Sequence, residues 1–256
     1  MFSAENSLIF TCRYGMMPGK KGVAMVGLMS AMGVEMALLQ EQMTECAHQE
    51  IGMDTFVSGK LYGQDAVIAV CGAGKINAAI CAWNMIQHYH PQWILNVGVA
   101  GSGDDSLEIG DLVVGTDSVQ HDMDTTGVGD PRGYVSKVGI VRFPCDPVLR
   151  DRLLAAAREV AGDRVQAGTI ATGDQFVSDP EVKSSIHALF QAKAVEMEGA
   201  AVAHACWMAK VPYGILRAIS DNANGDSPRD FPAFAAEAAE VSQRVIFHLL
   251  RQGERP

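Results

Sequence analysis

Several charged side chains of this sequence lie in segments that are otherwise apolar. Glu196 and Glu198 occur within residues 194–206, a stretch rich in alanine and valine. The next apolar stretch contains Arg217 and ends at Asp221. Charged side chains are seldom buried without a partner, so these residues are candidates for a functional site. Carboxyl groups brought together in an apolar setting suit acid–base chemistry on a polar substrate.

The two glutamates also have a simpler interpretation. They immediately precede or begin a predicted helix over residues 198–210, and the helix dipole favours acids at that end. Surface capping accounts well for one of the two acids. It accounts less well for Arg217 and Asp221 on the following strand, which we expect to face the same pocket.

Glycines and one aromatic residue add to the candidate site. Residues 71–75 follow a predicted strand but lack the glycine spacing of a P-loop or a dinucleotide-binding turn. Their glycines serve either the turn alone or the close approach of a ligand. After a later strand, Gly98, Ala100 and Gly101 would let a flat ring approach the backbone. Phe176 either stacks on a planar base or belongs to the core.

Composition and motif spacing exclude several classes of function. The 256 residues are 48% hydrophobic with a formal net charge of −10, which argues against a nucleic-acid groove. No apolar run is long enough for a membrane helix. Six scattered cysteines without a Cys-x-x-Cys motif indicate free thiols in a cytoplasmic protein. The histidines lack metal-binding spacing and no Gly-x-Ser-x-Gly motif occurs, so we expect no metal, no cofactor and no serine or cysteine nucleophile.

Alternating strand and helix patterns must position these residues. They predict an α/β, single-domain, three-layer fold with a central mixed, twisted sheet flanked by helices. Residues 1–20 are predicted to be a disordered extension and 21–256 the domain. The predicted strands cover residues 23–29, 56–60, 66–71, 93–98, 111–119, 165–171 and 213–220, and the predicted helices 33–46, 77–89, 146–160, a short one at 179–181, 198–210 and 231–250. Ligands of such sheets bind outside the strand ends, where Asp221 and residues 98–103 would lie.

The motifs together resemble the nucleoside phosphorylase/nucleosidase superfamily, and most closely the 5'-methylthioadenosine/S-adenosylhomocysteine nucleosidase family. The most specific segments are Val195-Glu196-Met197-Glu198 and Arg217-Ala218-Ile219-Ser220-Asp221. Residues 96–101 and 173–176 support them, and the resemblance extends over residues 23–250.

This resemblance implies a set of catalytic roles. Asp221 would be the general acid that protonates purine N7, and Ser220 would help to orient it. Glu35, in a segment that matches the family's first strand and turn, would activate the water. Arg217 would support Glu35 or the water. The transition state would be oxocarbenium-like, as in other glycosyl cleavages.

The resemblance also implies how substrate is bound. Glu198 would hold the ribose hydroxyls, Met197 would lie against the sugar, Phe176 would stack on adenine and the Val177 backbone would read the edge of the base. Further substrate contacts are assigned to Ala100, Gly101, Met32, Phe231 and Thr125. The small-molecule nucleoside would be the main partner, and family members usually form homodimers.

Hydrolysis is favoured over phosphorolysis by the charges of the site. A phosphate dianion needs convergent arginines or many donors. In related bacterial phosphorylases one arginine lies in the first glycine loop and another just before a Val-Gly pair. Here apolar or small residues and Asn96 take those places, and Glu35 would repel phosphate. A phosphorylase and a non-enzymatic nucleoside-binding protein remain the alternatives.

The 5' end of the substrate is less closely specified. Val99 stands where the family often has a serine or threonine that helps to place the water or the ribose. In the 5' pocket, Ala73, Thr125 and Val128 stand where close relatives often carry larger apolar or aromatic groups. The sequence therefore predicts a roomier pocket that prefers a bulky 5' group. This makes an aminodeoxyfutalosine nucleosidase a further alternative.

Overall fold

The structure is a computed structural model that describes residues 25–221 and 227–251, apart from the side chains of residues 227–233. The predicted extension over residues 1–20 lies outside the described residues. It and the domain boundary therefore stay predictions. None of the helices in the described part of the chain is both long and apolar enough to cross a membrane.

A mixed sheet forms the centre of the molecule, as predicted. Its strands are β1 (Val26–Ser30), β2 (Met43–Ile51), β3 (Asp54–Leu61), β4 (Gln64–Val70), β5 (Trp93–Ser102), β6 (Leu112–Gln120), β7 (Arg142–Pro144), β8 (Val165–Thr172), β9 (Ala192–Glu196) and β10 (Tyr213–Asp221). The order is β10-β6-β8-β9-β5-β1-β4-β3-β2, with β7 beside β6. Because β10 also pairs with β5, five of the strands close into a ring that the sequence did not predict.

Helices cover both faces of this sheet, which confirms the three-layer prediction. They are α1 (Ala37–Gln42), α2 (Lys75–Tyr89), α3 (Pro147–Ala161), α4 (Pro180–Phe190), α5 (Gly199–Ala209) and α6 (Ser227–Arg251). Buried side chains of α2 and α5, such as Met85 and Cys206, belong to one core cluster. Those of α3 and α6, such as Leu153 and Ile246, belong to another. The predicted cap of α3 is confirmed, since the Asp146 carboxylate accepts a 2.8 Å bond from the Leu149 N–H.

One predicted helix was too long, and the strands β2, β7 and β9 were not predicted. The helix predicted over residues 33–46 ends at Gln42, because β2 begins at Met43 and pairs antiparallel with β3. Long-range pairing overrides the helical spacing there, as it often overrides local propensity. Strand β9 was not predicted, although its pairing with both β5 and β8 places Glu196 at the end of a strand.

Candidate active site

A cavity of about 240 Å³ lies where β1, β5 and β10 end. These three strands are parallel to one another, so their carboxyl ends meet at one edge of the sheet. We call this space the acidic cavity, because its lining includes Glu35, Glu196, Glu198 and Asp221. A larger cavity of about 630 Å³ lies between α2 and α5, but its lining is mostly apolar and lacks these acids.

Most of the predicted site residues line the acidic cavity. They are Met32, Glu35, Ala100, Gly101, Phe176, Met197, Glu198, Ser220 and Asp221. The structure thus brings together segments that are nearly 190 residues apart in the sequence, from Met32 to Asp221. Ala73 and Val99, which the sequence analysis placed near the substrate, also line it. Ala31, Val195 and Glu196 line it too, and the sequence prediction did not assign them as binding residues.

Glu35 is held at the bottom of the site by backbone donors. It ends a 3₁₀ turn after β1 and is only 2% exposed. Its carboxylate accepts bonds from the N–H groups of Met32 (2.9 Å) and Val99 (3.0 Å). Burial raises the pKa of Glu35, although these bonds and the charge of Arg217 partly oppose the rise. A raised pKa brings the carboxyl group closer to the range that suits a general base.

Arg217 is part of the support beneath the cavity. It is 1% exposed and forms a 2.5 Å ion pair with Glu196. It also donates to the side chain and to the backbone oxygen of Asn96. The role predicted for Arg217, support of Glu35 or of the water, stays a prediction. Arg217 donates hydrogen bonds to Glu196 and Asn96, and its positive charge lowers the pKa of Glu35.

Glu196 connects this ion pair to the start of α5. Its carboxylate accepts bonds from the N–H groups of Glu198 (3.0 Å) and Gly199 (2.7 Å), and Thr172 donates to its other oxygen. It thereby satisfies amide groups that the helix leaves without internal partners. The interpretation of the acids as surface caps was half right: Glu196 caps a helix, but both glutamates are 7% exposed and hence buried.

The environment of Glu198 raises the pKa of its carboxyl group. Its Oε1 accepts a 2.9 Å bond from the N–H of Gly74, in the glycine loop after β4. Burial, followed by the negative charge of Glu196, raises the pKa of Glu198 to about 7. Gly74 has a φ of +99°, which favours glycine. The loop therefore does more than turn the chain, because it supplies a donor to the site.

Asp221 is placed by an irregularity in the sheet. The register between β10 and β5 shifts between Ile219 and Asp221, so that Asp221 pairs with Gly101. A Cβ atom on Gly101 would lie 2.7 Å from Asp221 Oδ1, so glycine is required for this approach. Lys183 of α4 donates a 2.8 Å bond to the same oxygen. The sequence prediction missed Lys183.

Three predicted residues do not line the cavity, and the structure does not describe the side chain of a fourth. Arg217 lies behind it, as described above. Val177 packs in a separate core cluster with Ile186 and Phe190. Thr125 Oγ1 donates to Asp130 within the loop after β6. The Phe231 side chain lies outside the described residues.

Phe176 resolves one of the alternatives left by the sequence. It is 50% exposed and lines the acidic cavity. The interpretation as ordinary core is therefore wrong. The rest of the lining combines the four acids with small residues and the side chains of Met32 and Met197.

Comparison with known proteins assigns the family. The sequence matches the phosphorylase superfamily over residues 25–251. The 5'-methylthioadenosine/S-adenosylhomocysteine nucleosidase of Marinomonas sp. (strain MWYL1) is 35% identical over 230 residues, which are 90% of this chain and 99% of that protein. This chain belongs to that nucleosidase family. The resemblance inferred from the motifs is confirmed, and members of the family are N-glycosyl hydrolases.

Solved structures of nucleosidases have the same fold. The nucleosidase of Neisseria meningitidis in complex with methylthio-immucillin-A superposes with a TM-score of 0.86 and 34% identity, covering 90% of this chain and 100% of that one. Futalosine hydrolase of Helicobacter pylori strain 26695 has a TM-score of 0.82 and 32% identity, covering 90% and 98%. The same fold thus occurs in relatives named after different substrates, methylthioadenosine and S-adenosylhomocysteine in one case and futalosine in the other.

Proposed function

We propose that this protein hydrolyses the N-glycosidic bond of 5'-modified adenosines, releasing adenine and a 5'-modified ribose. The observation that carries the proposal is the convergence of Glu35, Glu198 and Asp221, all buried, on one small cavity. Methylthioadenosine and S-adenosylhomocysteine are the candidate substrates.

The proposed reaction begins at the base. Asp221 gives its proton to N7 of adenine while the bond between C1' and N9 breaks, leaving an oxocarbenium-like sugar. Water then attacks C1' as Glu35 takes its proton. The raised pKa of Glu35 supports its role as base. Arg217 acts indirectly, by holding Glu196 and so the start of α5 that carries Glu198.

Substrate binding follows the same assignment. Glu198 holds the ribose hydroxyls, Met197 lies against the sugar and Phe176 stacks on adenine. The other assigned contacts remain proposals of the same kind: Met32, Ala100, Gly101, Ser220, Val177, Thr125 and Phe231.

Water is preferred to phosphate because of the charges around the cavity. Among the residues that the structure describes, no arginine or lysine lines it, whereas four acids do. The two nearest cations, Arg217 and Lys183, are each in an ion pair with a carboxylate. A phosphate dianion would meet net repulsion there. Neutral water would not.

The test is adenine release from methylthioadenosine, S-adenosylhomocysteine and aminodeoxyfutalosine, with and without phosphate. We expect equal rates in both conditions, and a loss of about 10²–10⁴-fold in Asp221→Asn, since a general acid contributes about that much. Release that requires phosphate would identify a phosphorylase. Tight nucleoside binding without release by the unmodified protein would identify a binding protein.

The same assay addresses the 5' group. Ala73 lines the cavity, and Val128, in the loop after β6, is 82% exposed. Small or solvent-facing residues at these places support a roomy 5' pocket. We therefore expect a higher kcat/KM for S-adenosylhomocysteine or aminodeoxyfutalosine than for methylthioadenosine. A strong preference for methylthioadenosine would contradict this expectation.

We further propose that the protein is a cytoplasmic homodimer. The exposed faces of α2 and α5, here called the α2/α5 face, carry large apolar side chains at Ile76, Ile80, Trp83 and Met208. Contiguous apolar surface of this kind usually marks an interface. Because Lys75 and Asp174 belong to the same surface and adjoin Gly74 and the Phe176 loop, a second copy bound there would lie close to the acidic cavity.

A further inference from the structure

Lys183 is a buried cation that the proposed reaction does not use. It is 2% exposed and occupies α4 together with the buried residues Ile186 and Phe190. These positions are three and seven residues apart, so they lie on one face of the helix. An apolar side chain would be expected at residue 183. Burying an ammonium group there is costly unless a partner compensates.

The partner is the proposed catalytic acid. Lys183 Nζ lies 2.8 Å from Asp221 Oδ1, and both side chains are almost fully buried. The pair sits against Gly101, where a Cβ atom would lie 2.7 Å from Asp221 Oδ1 and 3.4 Å from Lys183 Nζ. The absence of a side chain at residue 101 therefore accommodates the carboxylate and the ammonium group together.

Resting on the proposed function, we propose that Lys183 is a positioning residue for the general acid Asp221. It holds Oδ1, so that Oδ2 is left to the leaving base. Its charge also stabilises the carboxylate that remains when Asp221 has given its proton to the purine. That stabilisation is greater after proton transfer than before it, and such a difference lowers the barrier.

Other charged groups face the pair from the surrounding elements. On one side are the acids of the acidic cavity, with Arg217 on the same strand as Asp221. On the other side Lys183 borders a polar cavity of about 420 Å³ whose lining includes Asp104, Asp105 and His187. Asp104 is paired with Lys193. Among the residues that the structure describes, Lys183 is the cation in hydrogen-bond contact with Asp221, and its removal leaves a mainly acidic environment.

The experiment measures kcat and KM for adenine release in Lys183→Met, Lys183→Gln and Lys183→Arg. We expect kcat to fall about tenfold or more in the Met and Gln variants, because the general acid is no longer held in place. We expect KM to change less than about threefold in the same variants, because the substrate contacts are unchanged. We expect Lys183→Arg to recover most of kcat, because it keeps a positive charge that can bind Asp221.

The control is Lys193→Met, which removes a lysine from an ion pair on β9 that does not involve Asp221. We expect its kcat and KM to match those of the unmodified protein. A merely structural Lys183 would lower the melting temperature of the Met and Gln variants and change kcat and KM together, and that result would overturn the proposal. A Lys183→Arg variant that folds but is as slow as Lys183→Met would overturn it too.

Two features of the experiment allow its outcomes to be distinguished. The Gln variant retains a polar donor, so it gives the charge effect if Lys183→Met does not fold. Unmodified protein that releases no adenine would refute the proposed function. Active unmodified protein whose kcat is unchanged in Lys183→Met and Lys183→Gln would refute the role of Lys183 alone.

Discussion

Two of the carboxyl groups that face the acidic cavity hold protons more tightly than exposed glutamates do. Burial is the main cause for both Glu35 and Glu198, and Glu196 adds a like charge beside Glu198. A buried acid that must ionise to act reduces the stability of the folded state. The proton affinities of these acids suit the proposed reaction. Their retention is therefore a trade-off between stability and activity, which is common at catalytic sites.

This conflict predicts that Glu198→Gln is more stable than the unmodified protein above neutral pH. The pKa of Glu198 rises from 4.5 to about 7 on folding, so its ionisation costs stability as pH rises through that window. The difference in melting temperature should be smallest below pH 4.5 and grow until about pH 7. Since one pKa unit is about 1.4 kcal/mol and about 1 kcal/mol moves Tm by roughly 2–4 °C, several degrees are expected.

Calorimetry of the two proteins from pH 4 to pH 8 measures the effect. A melting-temperature difference that does not change with pH would contradict the assignment of Glu198 as the group concerned. Adenine release should fall sharply in the same variant, because the ribose loses a charged partner.

At the scale of elements, strand β5 brings the proposed general base Glu35 and the proposed general acid Asp221 to one place. Gly98 lies against Glu35 and Gly101 against Asp221, so the same strand accommodates both carboxyl groups. Strand β5 pairs in parallel with β1 on one side and β10 on the other. Strand β1, which leads into the turn that carries Glu35, and strand β10, which ends at Asp221, are therefore the two parallel neighbours of β5.

Gly98→Ala should displace the general base Glu35 without unfolding the protein. The added Cβ atom would lie 2.8 Å from Glu35 Oε1, closer than real contacts allow, so the carboxylate must move. We expect kcat for adenine release to fall about 10²-fold, which is the scale of a 1 Å misplacement at a catalytic site. Gly33→Ala is the matched control, because a Cβ atom there has nothing within 4 Å. Equal activity of the two variants would show that Glu35 does not need this position.

At the scale of the whole molecule, the α2/α5 face stands apart from the rest of the surface. The two helices pack together on one side of the sheet and expose Ile80 (53%) and Trp83 (43%). A hydrolase with a small buried site has no need of such a surface for its own fold. A second copy of the chain gives the exposed apolar side chains a buried environment.

Ile80→Asp should therefore convert a dimer into a monomer. A charge placed in an apolar interface costs several kcal/mol when it has no partner. Sedimentation equilibrium measures the mass, and Val148→Asp is the control, since Val148 is 66% exposed on α3 at the other layer of the molecule. A monomeric unmodified protein, or an Ile80→Asp variant that remains dimeric, would contradict the proposed interface.

Local patterns in the sequence were sufficient for much of this protein. Buried strands such as β5 appear as continuous apolar runs, and α3 carries its own cap and N-terminal proline, so both are predictable from neighbouring residues. The oddly placed acids Glu198 and Asp221 marked the site, because a charge in an apolar segment needs an explanation. The family motifs then supplied the roles.

Tertiary structure decided which charges meet. The pairing of Arg217 with Glu196 rather than with Glu35, and of Lys183 with Asp221, depends on strand register and on how α4 packs. The register shift before Asp221 and the start of β2 at Met43 likewise depend on partner strands far away in the sequence. Electrostatic partners are set by distances of a few ångströms across the fold, and those distances are not encoded in the spacing of residues along one segment.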